Sequence, residues 1–267
     1  MTRDVTAVVV SFQSRDDLPR CLASLRAAGE RLLETIVVDN ASGDGSAEVA
    51  RKSHPEARVI ENSANVGFAG AANRGLREAK GRYVLLLNPD AALQDGALDT
   101  LARFLDDHRD VAIVGPRTLN DDGTPQVSFG SALSLVTEWR QRRLVLGVKR
   151  RDPAALAQAA ELSSRPGEPD WVSGACFLAR LDALRAVGLF DEGFFLYEED
   201  VDLCVRVKRA GGRVAFLPEA VVVHSLGKSM AQASERAGAE YRRSHLRYYA
   251  KHRGPLETLA LRLFRGL

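Results

Sequence analysis

The chain has 267 residues, enough for one large α/β domain or two small ones. Hydrophobic residues make up 45% and charged residues 27%, which excludes a disordered, collagen-like or disulfide-framework protein. The formal net charge of +2 gives no reason to expect nucleic acid as a partner.

The first half alternates strand and helix signals. Val5–Phe12 is apolar and β-branched, as a buried parallel strand should be. Asp17–Ala28 carries Leu18, Leu22 and Leu25 at helical spacing, and Gly29 can end it. Glu34–Val38 reads as a second strand, Gly45–Lys52 as a helix capped by Asp44, and Ala57–Ile60 as a third strand. Phe68–Ala79 is a small-residue helix closed by Gly81, and Arg82–Leu87 a fourth strand buried on both faces. Asp95–Asp107 reads as a helix and Val111–Val114 as a fifth strand. Repeated β-α-β units with short loops imply a mostly parallel, Rossmann-like sheet flanked by helices.

The pattern then changes. Thr118–Phe129 holds Asp121-Asp122-Gly123, a hairpin turn signal. Ser131–Pro169 has weak periodicity and a basic cluster, and is expected to be an insertion or mobile flap. Trp171–Ala179 reads as a strand, Glu199–Arg209 as a helix, Arg213–Leu217 and Ala220–His224 as strands, and Ala233–Lys251 and Pro255–Phe264 as helices. The expected organisation is a half over residues 1–115, a second half of the same domain over 116–230, and a helical tail over 231–267.

That tail is basic: from Arg206 onward there are 13 Lys and Arg against 4 Asp and Glu. It reads either as a surface for an anionic partner or as a solvated helix face. Leu256, Leu259, Ala260, Leu263, Phe264 and Leu267 share one face of the last helix. Such a face suits an anionic membrane surface, or packing against the body or a second subunit in a homodimer. Three cysteines without C-x-x-C spacing argue against a disulfide framework or zinc site and fit a reducing cytoplasm. The N-terminal apolar run is interrupted by Ser11, so no secretory signal is expected, and no stretch reaches the roughly 18 apolar residues of a membrane span.

A parallel sheet binds its ligand at the C-terminal ends of its strands. Ser11-Phe12-Gln13-Ser14, Asp39-Asn40-Ala41-Ser42 and Asn88-Pro89-Asp90 follow three of the strands and should meet on one rim. No G-x-G-x-x-G follows the first strand and no P-loop occurs, which disfavours a nicotinamide dehydrogenase or a P-loop ATPase. Asn65–Gly70 precedes a helix; it either approaches a phosphate closely or simply packs small residues on the sheet. Asp90, behind the stiff Pro89, suits a hard divalent cation bridging to phosphates, or begins an Asx-type turn. Four acids crowd into Glu198–Asp202 after an apolar run, as a general base needs or as a helix N-terminus favours. Asp202 and Arg206, four apart, suit a structural ion pair, and His224 ends a buried strand where it is placed either to ligate metal or to serve structurally.

Together these segments resemble the family 2 glycosyltransferases of the GT-A fold, most closely the bacterial rhamnosyltransferase-like branch. The matching stretches are VVVSFQS (8–14), IVVDNASGDGS (36–46), ENSANVGFAGAANRG (61–75), YVLLLNPDA (83–91), WVSGACFLAR (171–180), GLFDEGFFLYEEDVDLCVR (188–206) and VVVHSLGKS (221–229), in the family's order. The resemblance implies a GT-A domain with a C-terminal acceptor-side subregion, a nucleotide-sugar donor (dTDP-rhamnose first, UDP-sugars next), a glycan or lipid-linked glycan acceptor, Mg²⁺ or Mn²⁺, and inversion at the anomeric carbon. By position it implies Ser11 and Phe12 against the nucleobase, Asp39 reading the base, and Asn65 and Gly67 across the nucleotide. Asn88 stands at the first position of the family's D-x-D, so Asp90 is the charged metal ligand, with His224 at a phosphate- or metal-contacting position. Asp200 takes the catalytic-base position in a Glu199-Asp200 pair. The Q-x-x-R-W of processive synthases is absent, so one sugar per encounter is expected. A nucleotidyltransferase is the main alternative, and a non-catalytic sugar-nucleotide-binding module the other; the first lacks its glycine-rich basic loop here, and the second has no need of both Asp90 and Asp200.

Overall fold

The computed structural model describes residues 3–225 and 234–265. Of the stretches singled out above, Leu226–Ala233 and Leu267 lie outside the described residues, and so does the side chain of Phe264. Among the described residues the strands are β1 (Val5–Ser11), β2 (Leu32–Asp39), β3 (Arg58–Glu61), β4 (Tyr83–Leu87), β5 (Ala91–Leu93), β6 (Val111–Leu119), β7 (Pro125–Gln126), β8 (Phe129–Gly130), β9 (Trp171–Val172), β10 (Cys176–Arg180) and β11 (Arg213–His224). The helices are α1 (Leu18–Ala27), α2 (Ser46–Ser53), α3 (Gly67–Glu78), α4 (Ala97–Asp107), α5 (Leu135–Lys149), α6 (Pro153–Leu162), α7 (Leu181–Ala186), α8 (Glu199–Arg209), α9 (Ser234–His252) and α10 (Pro255–Arg265).

The main sheet runs β3-β2-β1-β4-β10-β6-β11-β5, with β7 beside β6. Its β3-β2-β1-β4 half is parallel, as the β-α-β pattern requires. The other half is mixed, so "mostly parallel" holds for one side only: β10 runs antiparallel between β4 and β6, and β5 antiparallel beside β11, while β6 and β11 are parallel. The expected strand over Trp171–Ala179 breaks at Ser173-Gly174-Ala175 into β9 and β10. The two expected strands after Arg213 form one strand, irregular in register between Leu217 and Val221, where Pro218 cannot donate to the ladder. Asp121-Asp122-Gly123 turns the β6–β7 hairpin, with Gly123 N–H donating to Asn120 O.

Two apolar layers cover the sheet. One packs Leu18, Leu22 and Leu25 of α1 and Leu98, Leu101 and Leu105 of α4 against β1 and β4. The other packs Ala72 and Leu76 of α3 and Leu203 and Val207 of α8 on the opposite face. Gly75 lets α3 lie close to the sheet, since a Cβ there would come within 2.6 Å of Val8. A smaller cluster joins Leu133, Phe194, Val201, Tyr248, Tyr249 and Leu261, seating α9 and α10 on the body.

Ser131–Pro169 is not a structureless flap. Ser134 accepts the Thr137 N–H and so caps α5 in a reciprocal box, and Asp152 caps α6 ahead of Pro153. Of α5, only Leu144 is buried, while Val136, Trp139 and Leu146 are exposed. That scatter is why its helical period is weak in the sequence.

Gly67, at φ +80°, opens α3, and a Cβ there would overlap the Phe195 carbonyl oxygen. The Phe68 N–H donates to that same oxygen at 2.7 Å, tying the start of α3 to the segment before α8. Gly67→Ala is therefore expected to destabilise the protein by at least about 1–2 kcal/mol from the left-handed backbone alone. Urea unfolding followed by circular dichroism measures it; a midpoint equal to wild type contradicts the close approach.

Candidate active site

Parallel pairing aligns the ends of β1 and β2, so Ser11 and Asp39 are register partners. Both are buried, and neither Ser11 Oγ nor Asp39 Oδ1 has a hydrogen-bond partner among the described residues. Unpartnered buried acceptors are costly, and a ligand N–H would satisfy them. The other Asp39 oxygen accepts the Ser42 N–H at 3.0 Å, which fixes the turn through the left-handed Ala41. Phe12, beside Ser11, is 41% exposed and available as an aromatic wall.

Asn40 organises this rim, a role the sequence reading did not assign. Its amide donates to Asn65 Oδ1 (2.9 Å) and Gly67 O (3.1 Å), while its oxygen accepts from Asn62 Nδ2 (2.9 Å) and Val66 N–H (3.1 Å). The buried asparagine thereby holds Asn65 and Gly67 against the β2 end, and Asn65 Oδ1 in turn accepts the Gly67 N–H.

The Asn88-Pro89-Asp90 turn leaves β4 and enters β5. Pairing of β5 with β11 sets Ala91 opposite His224 and brings the His224 Nε2 to 3.1 Å from Asp90 Oδ1. Gln126 of the hairpin grips His224 twice: its amide donates to the His224 carbonyl at 2.6 Å, and its oxygen faces Nδ1 at 3.0 Å. With the Nδ1 proton given to Gln126, Nε2 turns toward Asp90. Gln126 lies 98 residues from His224, so no local motif reveals it. Among the described residues no group of three or more His, Cys, Asp and Glu converges to hold a metal. The donor set is a carboxylate and an imidazole, which fits a hard or borderline cation that takes its remaining ligands from water and phosphate oxygens.

The backbone links this rim to the acidic turn. Asn88 N–H donates to Ala175 O at 2.9 Å, and the adjacent Gly174 N–H donates to Asp200 Oδ2 at 2.7 Å. Asp200 Oδ1 accepts the Val201 N–H at 2.8 Å. Tyr197 and Glu198 both take left-handed φ angles, 69° and 65°, to swing the chain into α8. Glu199 is buried, and its Oε2 has no hydrogen-bond partner among the described residues.

Burial, together with the neighbouring Asp200 charge, pushes the Glu199 carboxyl well above the ordinary range. Burial raises Asp200 as well, but the Gly174 and Val201 N–H groups favour its charged form. Of this pair Glu199 is therefore the more easily protonated and Asp200 the more readily ionised. Asp200 lies on a cleft of about 970 Å³ whose walls include Trp139 and Arg142 of α5, Trp171, Tyr197, and Tyr241 and Arg242 of α9.

Asp202 points away from the cleft. It is fully buried and meets Arg206 Nε, Lys251 Nζ and His252 Nε2, each at 2.7 Å. Burial works against its charge, but these three groups hold its carboxyl below the ordinary range. Asp202→Asn is expected to cost about 3–5 kcal/mol, the usual cost of removing one partner from a buried ionic cluster. Because the folded pKa is lowered, this contribution is present above about pH 4 and is lost as the pH falls through the lowered value. Urea titrations of wild type and variant at pH 7 and pH 3 measure it; equal stability at pH 7 refutes the role.

The model of the family described as glycosyl transferase family 2 matches residues 6–160. The N-acetylglucosaminyl-diphospho-decaprenol L-rhamnosyltransferase of Mycobacterium tuberculosis is 34% identical over 239 residues, which cover 84% of this chain and 76% of that protein. The rhamnosyltransferase WbbL of Escherichia coli is 26% identical over 178 residues, covering 66% of this chain and 65% of its own. Among solved structures, the mannosyltransferase PcManGT of Pyrobaculum calidifontis, in complex with GDP-Man and Mn²⁺, superposes with a TM-score of 0.64 at 21% identity. That match covers 94% of this chain and 65% of the mannosyltransferase chain, a little under two thirds of its length. GalNAc-T7, with UDP, GalNAc and Mn²⁺, superposes with a TM-score of 0.61 at 17% identity, over 83% of this chain and 44% of its own. These likenesses support a GT-A-like fold, a curled mixed sheet flanked by helices. With the ends of β1, β2 and β4 inside the matched region, and a rhamnosyltransferase 34% identical over 84% of this chain, the chain belongs to glycosyl transferase family 2.

Proposed function

We propose that this protein moves one sugar from a nucleotide-diphosphate donor to an acceptor hydroxyl, with inversion, and that dTDP-rhamnose is the donor. One observation carries the reading: a buried, unpartnered carboxylate oxygen at Asp39 and a carboxylate braced by two backbone N–H groups at Asp200 stand at the same sheet edge. The rhamnosyltransferase relatives support the choice of sugar.

In this reading Asp39 and Ser11 accept hydrogen bonds from the base, Phe12 walls it, and Asn65, Gly67 and Asn88 border the nucleotide. Asp90 and His224 are the residues that would hold Mg²⁺ or Mn²⁺, which neutralises charge developing on the departing diphosphate. Asp200 accepts the proton of the attacking hydroxyl, and its two N–H partners orient the carboxylate toward the cleft. Glu199, kept neutral, donates a hydrogen bond and leaves a single negative charge beside the acceptor. A sugar attacked from the face opposite the leaving group needs no carboxylate nucleophile, so inversion follows. Residues 1–115 then serve mainly the donor and 116–230 the acceptor, with 231–267 supporting the acceptor side.

The acceptor is a lipid-linked glycan in this reading. Leu256, Leu259 and Leu263 of α10 are exposed, the first 82% and the last 76%, while Leu261 on the other face is buried in the body. An exposed apolar stripe beside basic residues suits contact with an anionic membrane surface. No helix among the described residues is long and apolar enough to cross a membrane.

Two substitutions test the scheme. Asp39→Ala is expected to weaken dTDP binding by about 1.5–3 kcal/mol, the value of a hydrogen bond to a charged acceptor. Asp200→Asn should reduce transfer roughly 10²–10⁴-fold while dTDP-rhamnose still binds, as loss of a general base does. Calorimetry gives the affinities, and transfer from dTDP-rhamnose to N-acetylglucosaminyl-diphospho-decaprenol gives the rates. Unaltered dTDP affinity in the first variant, or unaltered transfer in the second, overturns the corresponding assignment. Sugar-1-phosphate and nucleoside triphosphate turnover in place of transfer would instead identify a nucleotidyltransferase.

A further inference from the structure

His245 of α9 lies 1% exposed directly behind the acidic turn and takes no part in the scheme above. Its Nδ1 is 3.1 Å from Glu198 Oε1, and its Nε2 makes an ion-pair contact of 3.0 Å with Glu138 Oε2. The other Glu138 oxygen accepts the Tyr249 hydroxyl at 2.6 Å. The imidazole stacks on Tyr241, with ring centroids 5.4 Å apart, and lies tilted against Tyr249 at 5.1 Å. Both ring nitrogens thus face carboxylates from two different parts of the chain. Glu198 is the strained residue on which the chain turns into α8, and Glu138 sits on α5, a wall of the cleft. One residue earlier, Ser244 Oγ donates to Leu196 O at 2.7 Å, so α9 grips the turn on both sides of Tyr197.

We propose that His245 is a positioning residue for transfer: as a shared cation it clamps the Glu198 turn, which presents Asp200, to the α5 wall of the acceptor cleft. The proposal rests on the reading of Asp200 as the base. A neutral imidazole has one N–H and can serve one carboxylate only; the charged ring serves both, by a hydrogen bond at Nδ1 and by charge at Nε2, which is not aligned for a hydrogen bond to Glu138. Tyr197 and Glu198 are held in left-handed conformations that non-glycine residues rarely adopt, and such strain needs external support.

The groups facing the ring are Glu138 from α5, Glu198 with Asp200 beyond it, and Tyr241 and Tyr249 from α9 itself. Burial favours the neutral ring, but the two carboxylates outweigh it and push the His245 pKa up to about 9. A histidine raised in the folded state contributes fully below its ordinary value of about 6.5, and the contribution is lost as the pH rises through the folded value. The clamp is therefore closed at neutral pH and opens on the alkaline side.

The chain's two tryptophans, Trp139 and Trp171, both line the cleft and report its closure without a label. In wild type, acrylamide quenching of their fluorescence should step upward between pH 8 and 10, and transfer from dTDP-rhamnose should fall over the same interval. In His245→Gln, quenching should be high and flat with pH, kcat should fall about 100-fold, as misplacement of a reacting group by about 1 Å can do, and dTDP affinity should be unchanged. Imidazole, but not the far less basic pyrazole, should restore transfer to His245→Ala. Wild-type quenching and an unaltered alkaline limb in His245→Gln overturn the proposal. Should the His245 variants fail to fold, Glu138→Gln carries the test, since it releases only the α5 side: quenching and pH dependence equal to wild type overturn the clamp. A wild-type protein that shows the quenching step yet transfers no sugar defeats the transferase reading and leaves the clamp standing.

Discussion

Four carboxyl groups within five residues, Glu198 to Asp202, are withdrawn from water to varying degrees, and the surrounding α8 and α9 are arranged around compensating them. An ionised carboxylate cannot be buried without a partner, so each is either neutralised or matched. Burial and the Asp200 charge favour the protonated form of Glu199. Asp200 takes two backbone N–H bonds at the start of α8, where the helix dipole also favours it. Glu198 and Asp202 are matched by side chains, and most of those partners come from one helix: His245, Lys251 and His252 of α9, with Arg206 of α8. Helix α9 is thus part of the electrostatics of this turn rather than an appendage. Of the Lys and Arg residues from Arg206 onward, Arg206 and Lys251 answer the acids of this turn, while Lys208, Arg213 and Arg247 pair with acids elsewhere in the body.

The rim at the ends of β1 and β2 uses a different device. Its framework is neutral, built from the four hydrogen bonds of Asn40 and the left-handed Gly67, and it leaves Ser11 Oγ and Asp39 Oδ1 without partners among the described residues. A rigid neutral frame around unsatisfied acceptors suits recognition of a ligand that supplies its own N–H groups. The two sides meet where Gly67 and Phe68 press on Phe195 and where Gly174 and Ala175 touch Asp200 and Asn88. Small or absent side chains at both junctions allow backbones from distant parts of the chain to touch.

Much of the parallel half was legible in the sequence. The runs ending in Ser11, Asp39 and Leu87 are apolar on both faces, and a buried parallel strand allows no other composition. Ser11, Asp39 and Asp90 could be named because strand ends follow apolar runs, whereas Asn65 and Gly67 were reached through the resemblance. What was hidden depends on pairing across long separations. The antiparallel insertion of β10, the short β5, and Gln126 behind His224 leave no local period. Helix α5 was hidden because half of its apolar residues face outward, and periodicity detects only a helix that sorts its faces. The acidic turn was visible, but the sorting of its members into Asp200 toward the cleft and Asp202 toward α9 required the partners' positions.

The place of β10 between β4 and β6 also bears on how the chain is made. The edge of β4, Val84–Leu87, is wholly apolar, and its partner begins only at Cys176. At about 5–20 residues per second a ribosome needs roughly 5–18 s to reach that strand. During that interval the emerging chain carries an unpaired strand edge of the kind that recruits other chains. The flanking Arg82 and the following Asn88-Pro89 interrupt extended pairing at either end of the run. Synthesis rate across α5 and α6 thus sets how long this edge stays open, and slow translation there lengthens exposure to aggregation without altering the finished fold.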